Sequence, residues 1–286
     1  MSAGRARIAA RHSRSPPARF AVDAPFNHHP VAVFDSGLGG LTVLRALRQR
    51  LPDEDFFYFA DTRFLPYGDR AEDFIRQRGE QIAAALARRG AKALVIACNT
   101  ATAVAVESIR AASALPVVAL EPGVKPAAAL TRSGVIGVLA TTRTLHSQRF
   151  QRLVGDHASQ YRVIGQACPG LADAIERCGP DSPEVERLLD LFVTPLLDTG
   201  ADVVVLGCTH YPWVAGMISS RLPAGVTLLD TGAAVARQLE HRLETAGLRG
   251  GGGRLTVASS GLPAEVEATV GRLWGTILPV DHWEPA

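Results

Sequence analysis

The sequence predicts an α/β protein of two similar domains, each a mostly parallel sheet flanked by helices, with its working site in the cleft between them. Three observations predict this. Short apolar, β-branched runs alternate with longer helical stretches along the whole chain. The residues just past those runs are small, polar or reactive: Asp35–Ser36, Asp61–Thr62, Cys98–Asn99–Thr100, Thr141–Thr142, Cys208–Thr209–His210 and Asp230–Thr231. Parallel sheets bind ligands beyond the carboxyl ends of their strands, so these residues form two rims that face each other. Finally, one arrangement occurs twice. Leu94–Val95–Ile96–Ala97 runs into Cys98, and Val203–Val204–Val205–Leu206–Gly207 runs into Cys208.

Taken in order, Val31–Asp35 reads as a strand, and Ser36–Gly37–Leu38–Gly39–Gly40 turns into a helix from Leu41. Such a glycine-rich turn gathers backbone N–H groups about an anion; it is not the full dinucleotide pattern and suits a carboxylate. Phe56–Ala60 is the second strand, and a loop through Pro66–Tyr67–Gly68 leads to a helix ended by Gly90. The strand before Cys98 has its helix through Ile109, and Pro116–Leu120 is a fourth strand. Glu121–Pro122–Gly123 breaks the pattern and marks a crossing between domains. Gly134–Ala140 opens a second series, with a helix near 145–154, a strand at Tyr161–Gly165, and helices through Glu176 and from Pro183 to about Asp198. After the Cys208 strand come Val226–Asp230, a helix to Ala246, a glycine turn at 250–253, a strand at Leu255–Ala258 and a helix near Ala264–Trp274. The expected organisation is an Arg-rich, disordered leader over 1–30, a first domain from 31–121 plus 226–286, and a second domain from 122–225.

With 286 residues, 47% of them hydrophobic and 20% charged, the chain has the composition of a soluble globular protein with room for two domains. No apolar run is long enough to span a membrane. The net charge is +2, but five arginines before Asp23 contribute +5 with no acid, leaving the remainder at −3. A basic nucleic-acid face is therefore not expected on the folded body. The four cysteines include no Cys-x-x-Cys pair and read as reduced thiols in a cytoplasm.

Two thiols delivered alike from two halves of a chain suit proton transfer at one prochiral carbon, where one group removes a proton and another returns one from behind. Zinc would want other ligand spacing, and disulfide redox a Cys-x-x-Cys pair. Acyl transfer would need only one cysteine. Asp35 and His210 are placed to share protons with the sulfurs. The α-C–H of an amino acid is a very weak acid, and pyridoxal phosphate on a lysine is the usual remedy. Only Lys92 and Lys125 are present, one before its strand and one after a Pro-Gly break, so neither suits that role and no cofactor is expected. Rim hydroxyls, Asn99 and backbone N–H groups would then hold the carboxylate and screen carbanion charge.

At these residues the chain resembles the glutamate racemases. The matching motifs are Asp35–Ser36–Gly37–Leu38–Gly39–Gly40–Leu41, Asp61–Thr62 with Pro66–Tyr67–Gly68, Cys98–Asn99–Thr100–Ala101, Glu121–Pro122–Gly123 and Gly207–Cys208–Thr209–His210–Tyr211–Pro212. The resemblance implies cofactor-independent, metal-free interconversion of L- and D-glutamate for peptidoglycan, with Cys98 and Cys208 as catalytic acid/bases assisted by Asp35 and His210. It implies substrate contacts from Asp35, Ser36, Tyr67, Gly68, Asn99, Thr100, Thr209 and His210, further contacts from Thr141 and Thr144, and an auxiliary acid at Glu176. It also implies a cytoplasmic homodimer. The rival readings are a racemase of aspartate or another amino acid, a binding protein that keeps the cleft without catalysis, and a thiol hydrolase or transferase.

Overall fold

The structure is a computed structural model that describes residues 26–285. Most of the segment read as a leader, residues 1–25, lies outside the described residues. Its last two residues pack onto the body: His29 Nδ1 lies 2.8 Å from the carbonyl of Gly90, and Pro30 is buried.

The chain first lays down β1 (Val31–Asp35), β2 (Phe56–Ala60), β3 (Ala93–Ile96) and β4 (Val117–Ala119). It then builds β5 (Val135–Ala140), β6 (Arg162–Ala167), β7 (Val203–Gly207) and β8 (Thr227–Leu229), and finishes with β9 (Leu255–Ser259) and β10 (Val280–His282). These form a six-stranded sheet in the order β10-β9-β2-β1-β3-β4 and a four-stranded sheet in the order β6-β5-β7-β8. Every pairing is parallel. The expectation that residues from 226 onward belong to the first domain fails at β8, which pairs with β7 of the second sheet. The return crossing follows β8. It passes close to the outward one, because a Cβ on Gly123 would meet both Leu229 and Thr231 at 2.9 Å.

The helices are α1 (Leu41–Arg50), α2 (Glu72–Arg88), α3 (Asn99–Ala112), α4 (Val124–Leu130), α5 (Thr142–His146), α6 (Gln148–Ala158), α7 (Leu171–Cys178), α8 (Pro183–Leu197), α9 (Ala215–Arg221), α10 (Gly232–Thr245) and α11 (Pro263–Trp274). Parallel strands covered on both faces are apolar throughout, and β1, β2, β3 and β7 are buried at every position. Their alternate residues serve different layers. Val31 and Val33 join the core under α1 and α10, while Ala32 and Phe34 join the core under α2 and α3. The first of these cores continues into the second lobe through Leu171, Ile175, Tyr211 and Val214, so the lobes share apolar contact on that side. The single helix expected near 145–154 is two helices, because the Ser147 hydroxyl caps α6 by accepting from Phe150 N. The short α4 and α9 and the three-residue edge strand β10 carry too little periodic pattern to be read from sequence.

Candidate active site

Both cysteines sit at the carboxyl ends of inner strands, one in each sheet, and both are nearly sealed, Cys98 at 4% and Cys208 at 7% exposure. Their support differs. Cys98 is the N-cap of α3, and its sulfur accepts from Ala101 N at 3.4 Å, where the helix dipole favours negative charge. Cys208 heads no such helix. It instead precedes a single 3-10 turn over Tyr211–Val214, and a histidine takes the place of a helix terminus. His210 Nδ1 lies 3.6 Å from Cys208 Sγ, and Nε2 lies 2.5 Å from Glu176 Oε1.

On the Cys98 side, the Ser36 hydroxyl stands 3.3 Å from the sulfur and 3.4 Å from Asp35 Oδ1, so it bridges thiol and carboxyl. Asp35 also accepts from Ser36 N at 2.7 Å and from Gly40 N at 2.5 Å. The turn that supplies these donors requires glycine. A Cβ on Gly39 would sit 2.5 Å from His210 Nδ1 and from Thr209 Oγ1, and one on Gly40 would sit 2.8 Å from Asp35 Cβ. The same turn meets the second lobe through Leu38 N, which donates to Glu176 Oε1 at 2.6 Å.

Burial sets the acidities. It pushes Cys98 up to about 12, helped by the Asp35 charge and opposed by the hydrogen bonds from Ser36 and Ala101 N; the Cys208 charge raises it further. Asp35 is raised to about 6 by burial, against the lowering effects of His210 and Gly40 N. His210 behaves otherwise: burial lowers it, but its hydrogen bonds to Cys208 and Glu176 outweigh that, and it is held well above the ordinary imidazole range. A protonated His210 donates to Cys208 Sγ on one side and to Glu176 on the other. Asp35 and Cys98 of one lobe thus feel His210, Glu176 and Cys208 of the other, which places all five in one electrostatic unit.

The remaining expected residues surround this unit, with three changes. Thr100 Oγ1 lies 3.0 Å from Thr141 Oγ1 and 3.5 Å from Thr144 Oγ1, joining the lobes through a cluster of hydroxyls. Asn99 Oδ1 is buried without a hydrogen-bond partner, an acceptor held ready for a donor. Thr209 is buried, and its carbonyl accepts from Thr42 Oγ1 at 3.0 Å. Tyr67 is the first change. Its hydroxyl donates to Asp61 at 2.6 Å inside the core, so its ring is held away from the thiols. Asp61, the second, is likewise turned away, bound by Arg78 through Nε at 2.9 Å and Nη2 at 2.7 Å. The third is Asp230, which is exposed and accepts from Gly232 N at 3.1 Å just before α10. Gly68 faces Thr141 and, with it, lines an opening of about 300 Å³ that also touches Cys168 and Pro169.

Sequence reasoning missed Arg78. Its signal was present, since Arg78 falls on the buried face of α2 between Ile75 and Ile82. It also missed Thr42 and the main-chain donor of Leu38, whose roles depend on the opposite lobe. Neither lysine lies at the rim. Lys92 Nζ is buried 2.5 Å from Glu54 Oε2, and Lys125 is exposed on α4. Among the described residues no group of three His, Cys, Asp or Glu is arranged to hold a metal ion, and no helix is long and apolar enough to cross a membrane.

Residues 41–239 match the family described as Asp/Glu/Hydantoin racemase. A glutamate racemase of Pseudomonas paraeruginosa is 48% identical over 250 residues, covering 86% of this chain and 94% of that protein. Among solved structures, a glutamate racemase isoform of Bacillus anthracis superposes with a TM-score of 0.83 at 30% identity, covering 90% of this chain and 98% of that one. A glutamate racemase of Francisella tularensis in complex with D-glutamate superposes at 0.80 with 27% identity, covering 90% and 98%. Likeness of this extent, in sequence and in fold together, makes the chain a member of the Asp/Glu/hydantoin racemase family and places it with that family's glutamate racemases.

Proposed function

We propose that the protein interconverts L- and D-glutamate by proton transfer between the α-carbon and two thiols, Cys98 and Cys208, supplying D-glutamate for peptidoglycan. The observation that carries this reading is the presentation of both sulfurs, one from each sheet, in a single sealed polar site whose charges act on one another. The named relatives, and the D-glutamate bound to one of them, support glutamate over aspartate as substrate.

In one direction a thiolate removes the α-proton from one face while the opposite thiol delivers its proton to the other; the reverse direction exchanges these roles. Asp35, through Ser36, takes and returns the Cys98 proton. His210, held by Glu176, does the same for Cys208. Substrate carboxylates are received by the hydroxyls of Ser36, Thr100, Thr141, Thr144 and Thr209 and by main-chain N–H groups of Tyr67 and Gly68; Asn99 Oδ1 accepts from the ammonium group. Exclusion of water strengthens all of these contacts and shields the carbanion. The positions of Lys92 and Lys125 support chemistry without a Schiff base. We also take the protein to be a cytoplasmic homodimer; light scattering on the purified chain checks the oligomeric state.

The test is L-glutamate in deuterium oxide without pyridoxal phosphate, followed by circular dichroism and proton NMR. The expected result is loss of optical activity together with α-deuteration. Binding without exchange would mean a cleft that only binds, and faster exchange with aspartate would move the substrate.

A further inference from the structure

We propose that Arg272, in the last turn of α11, is a positioning residue for the Cys208 half of the reaction; the proposal rests on the two-thiol reading above. Arg272 comes from the lobe that carries Cys98. Its Nη2 nevertheless donates at 2.7 Å to the main-chain carbonyl of Glu176 in the other lobe. That carbonyl lies in the final turn of α7, where helix carbonyls lack partners and the dipole is negative, so a cation is favoured there twice over. The side chain of the same Glu176 receives His210 Nε2 at 2.5 Å and Leu38 N at 2.6 Å. Glu176 is thus held through its main chain by Arg272 and through its carboxylate by the two groups it serves. A small shift of that backbone moves His210, and with it the partner of Cys208.

The same end of α11 grips the other flank of His210. The Arg45 guanidinium lies between Trp274 of α11, 5.1 Å from its ring centre, and Trp213 of the second lobe, 4.9 Å away. Trp213 N donates to the His210 carbonyl at 3.1 Å. A second hydrogen bond, from Arg272 to Thr269 Oγ1 at 3.0 Å, fixes the direction of the guanidinium. None of these side chains touches a sulfur, so their influence reaches the chemistry only through Glu176 and His210.

The test uses Arg272→Met, which keeps the stem and loses the donors, Arg272→Lys, which keeps the charge, and Thr269→Val, which frees the guanidinium. Each enantiomer is incubated in deuterium oxide, and both inversion and deuteration of the recovered starting enantiomer are measured. In the retained pathway a C–H bond breaks to form S–H on Cys98, that proton exchanges with solvent, and a C–D bond forms on the same face. Arg272→Met is expected to lower kcat/KM about tenfold, the size of effect a charge-assisted hydrogen bond produces. The loss must be equal in both directions, because enantiomers have equal free energy in water. The ratio of deuteration with retention to inversion is expected to rise several-fold for one enantiomer alone, the one whose proton Cys98 removes. Arg272→Lys should recover at least half of the loss, and Thr269→Val should shift the ratio the same way by less. An unchanged ratio for both enantiomers, or an equal rise for both, overturns the proposal. If melting curves show that Arg272→Met does not fold, the other two variants decide by the same ratio. Failure of the wild-type protein to invert glutamate would instead sink the two-thiol reading itself.

Discussion

Asp35 and His210 are both buried, and both hold their protons more tightly than in water, for opposite reasons. Asp35 does so because burial penalises its charge. His210 does so because Cys208 and Glu176 overcome that penalty. The signs give separate predictions. The carboxylate form of Asp35 accepts the Cys98 proton, so kcat/KM should rise with pH through about 6. In Asp35→Asn that limb should disappear and the rate should fall about 10²–10⁴-fold, the usual worth of a general base. For stability, Asp35 keeps its proton longer in the folded protein than in the unfolded one. It therefore adds stability at low pH that is lost as pH rises from 3.8 to about 6. His210 adds stability that is full below its unfolded value and disappears as pH rises through its higher folded value. The thiols have a simpler test. Cys98→Ala and Cys208→Ala should each abolish racemisation while circular dichroism and melting remain close to wild type, and one variant with full activity would refute the pair.

At the scale of elements, the turn between β1 and α1 is the most constrained piece of the site. Gly39→Ala places a methyl against His210 Nδ1 and Thr209 Oγ1, each 2.5 Å away. It should cost at least 100-fold in kcat, about 2.7 kcal/mol on the barrier, with far-UV circular dichroism unchanged. The loop before α2 depends on Arg78. Arg78→Met would leave the Asp61 charge buried without its cation, which should lower stability by about 3–5 kcal/mol in urea unfolding and raise KM as Tyr67 and Gly68 loosen. Adding Asp61→Asn should recover part of the stability, because the stranded charge is gone. These elements also mark what the sequence could disclose. Asp35, Cys98 and Cys208 were legible because strand-end chemistry needs those residue types at those places. Arg78 stands on the apolar face of α2 between Ile75 and Ile82, but nothing in the linear pattern names Asp61 as its partner. Tyr67 was expected at the site, but its ring is turned to Asp61 and Arg78, which no linear pattern joins to it.

At the scale of the molecule, the two sheets, their parallel order and the outward crossing near Glu121 followed from the alternation of strands and helices. The return crossing did not. Val226–Asp230 has the same apolar-then-acid form as β1, and only hydrogen bonding to β7 assigns it to the second lobe. Because both lobes line the site, substrate should stabilise their closed arrangement. L-glutamate at about 100 times its Kd should add about 2.7 kcal/mol to unfolding stability, visible as a higher melting temperature. L-aspartate should give a smaller shift, and Cys208→Ala should retain the glutamate shift after losing turnover, which separates binding from chemistry.

The scarcity of lysine has a practical outcome. Lys92 is enclosed at the end of the sheet remote from the thiols, with its ammonium on Glu54, and Lys125 is exposed on α4. Acylating reagents that spare cysteine should therefore modify one side-chain amine on the native protein, besides its amino terminus. With the amino terminus blocked first, anchoring to a bead or a dye through Lys125 would fix the molecule in a defined orientation, and mass spectrometry of a labelled digest would verify attachment at Lys125.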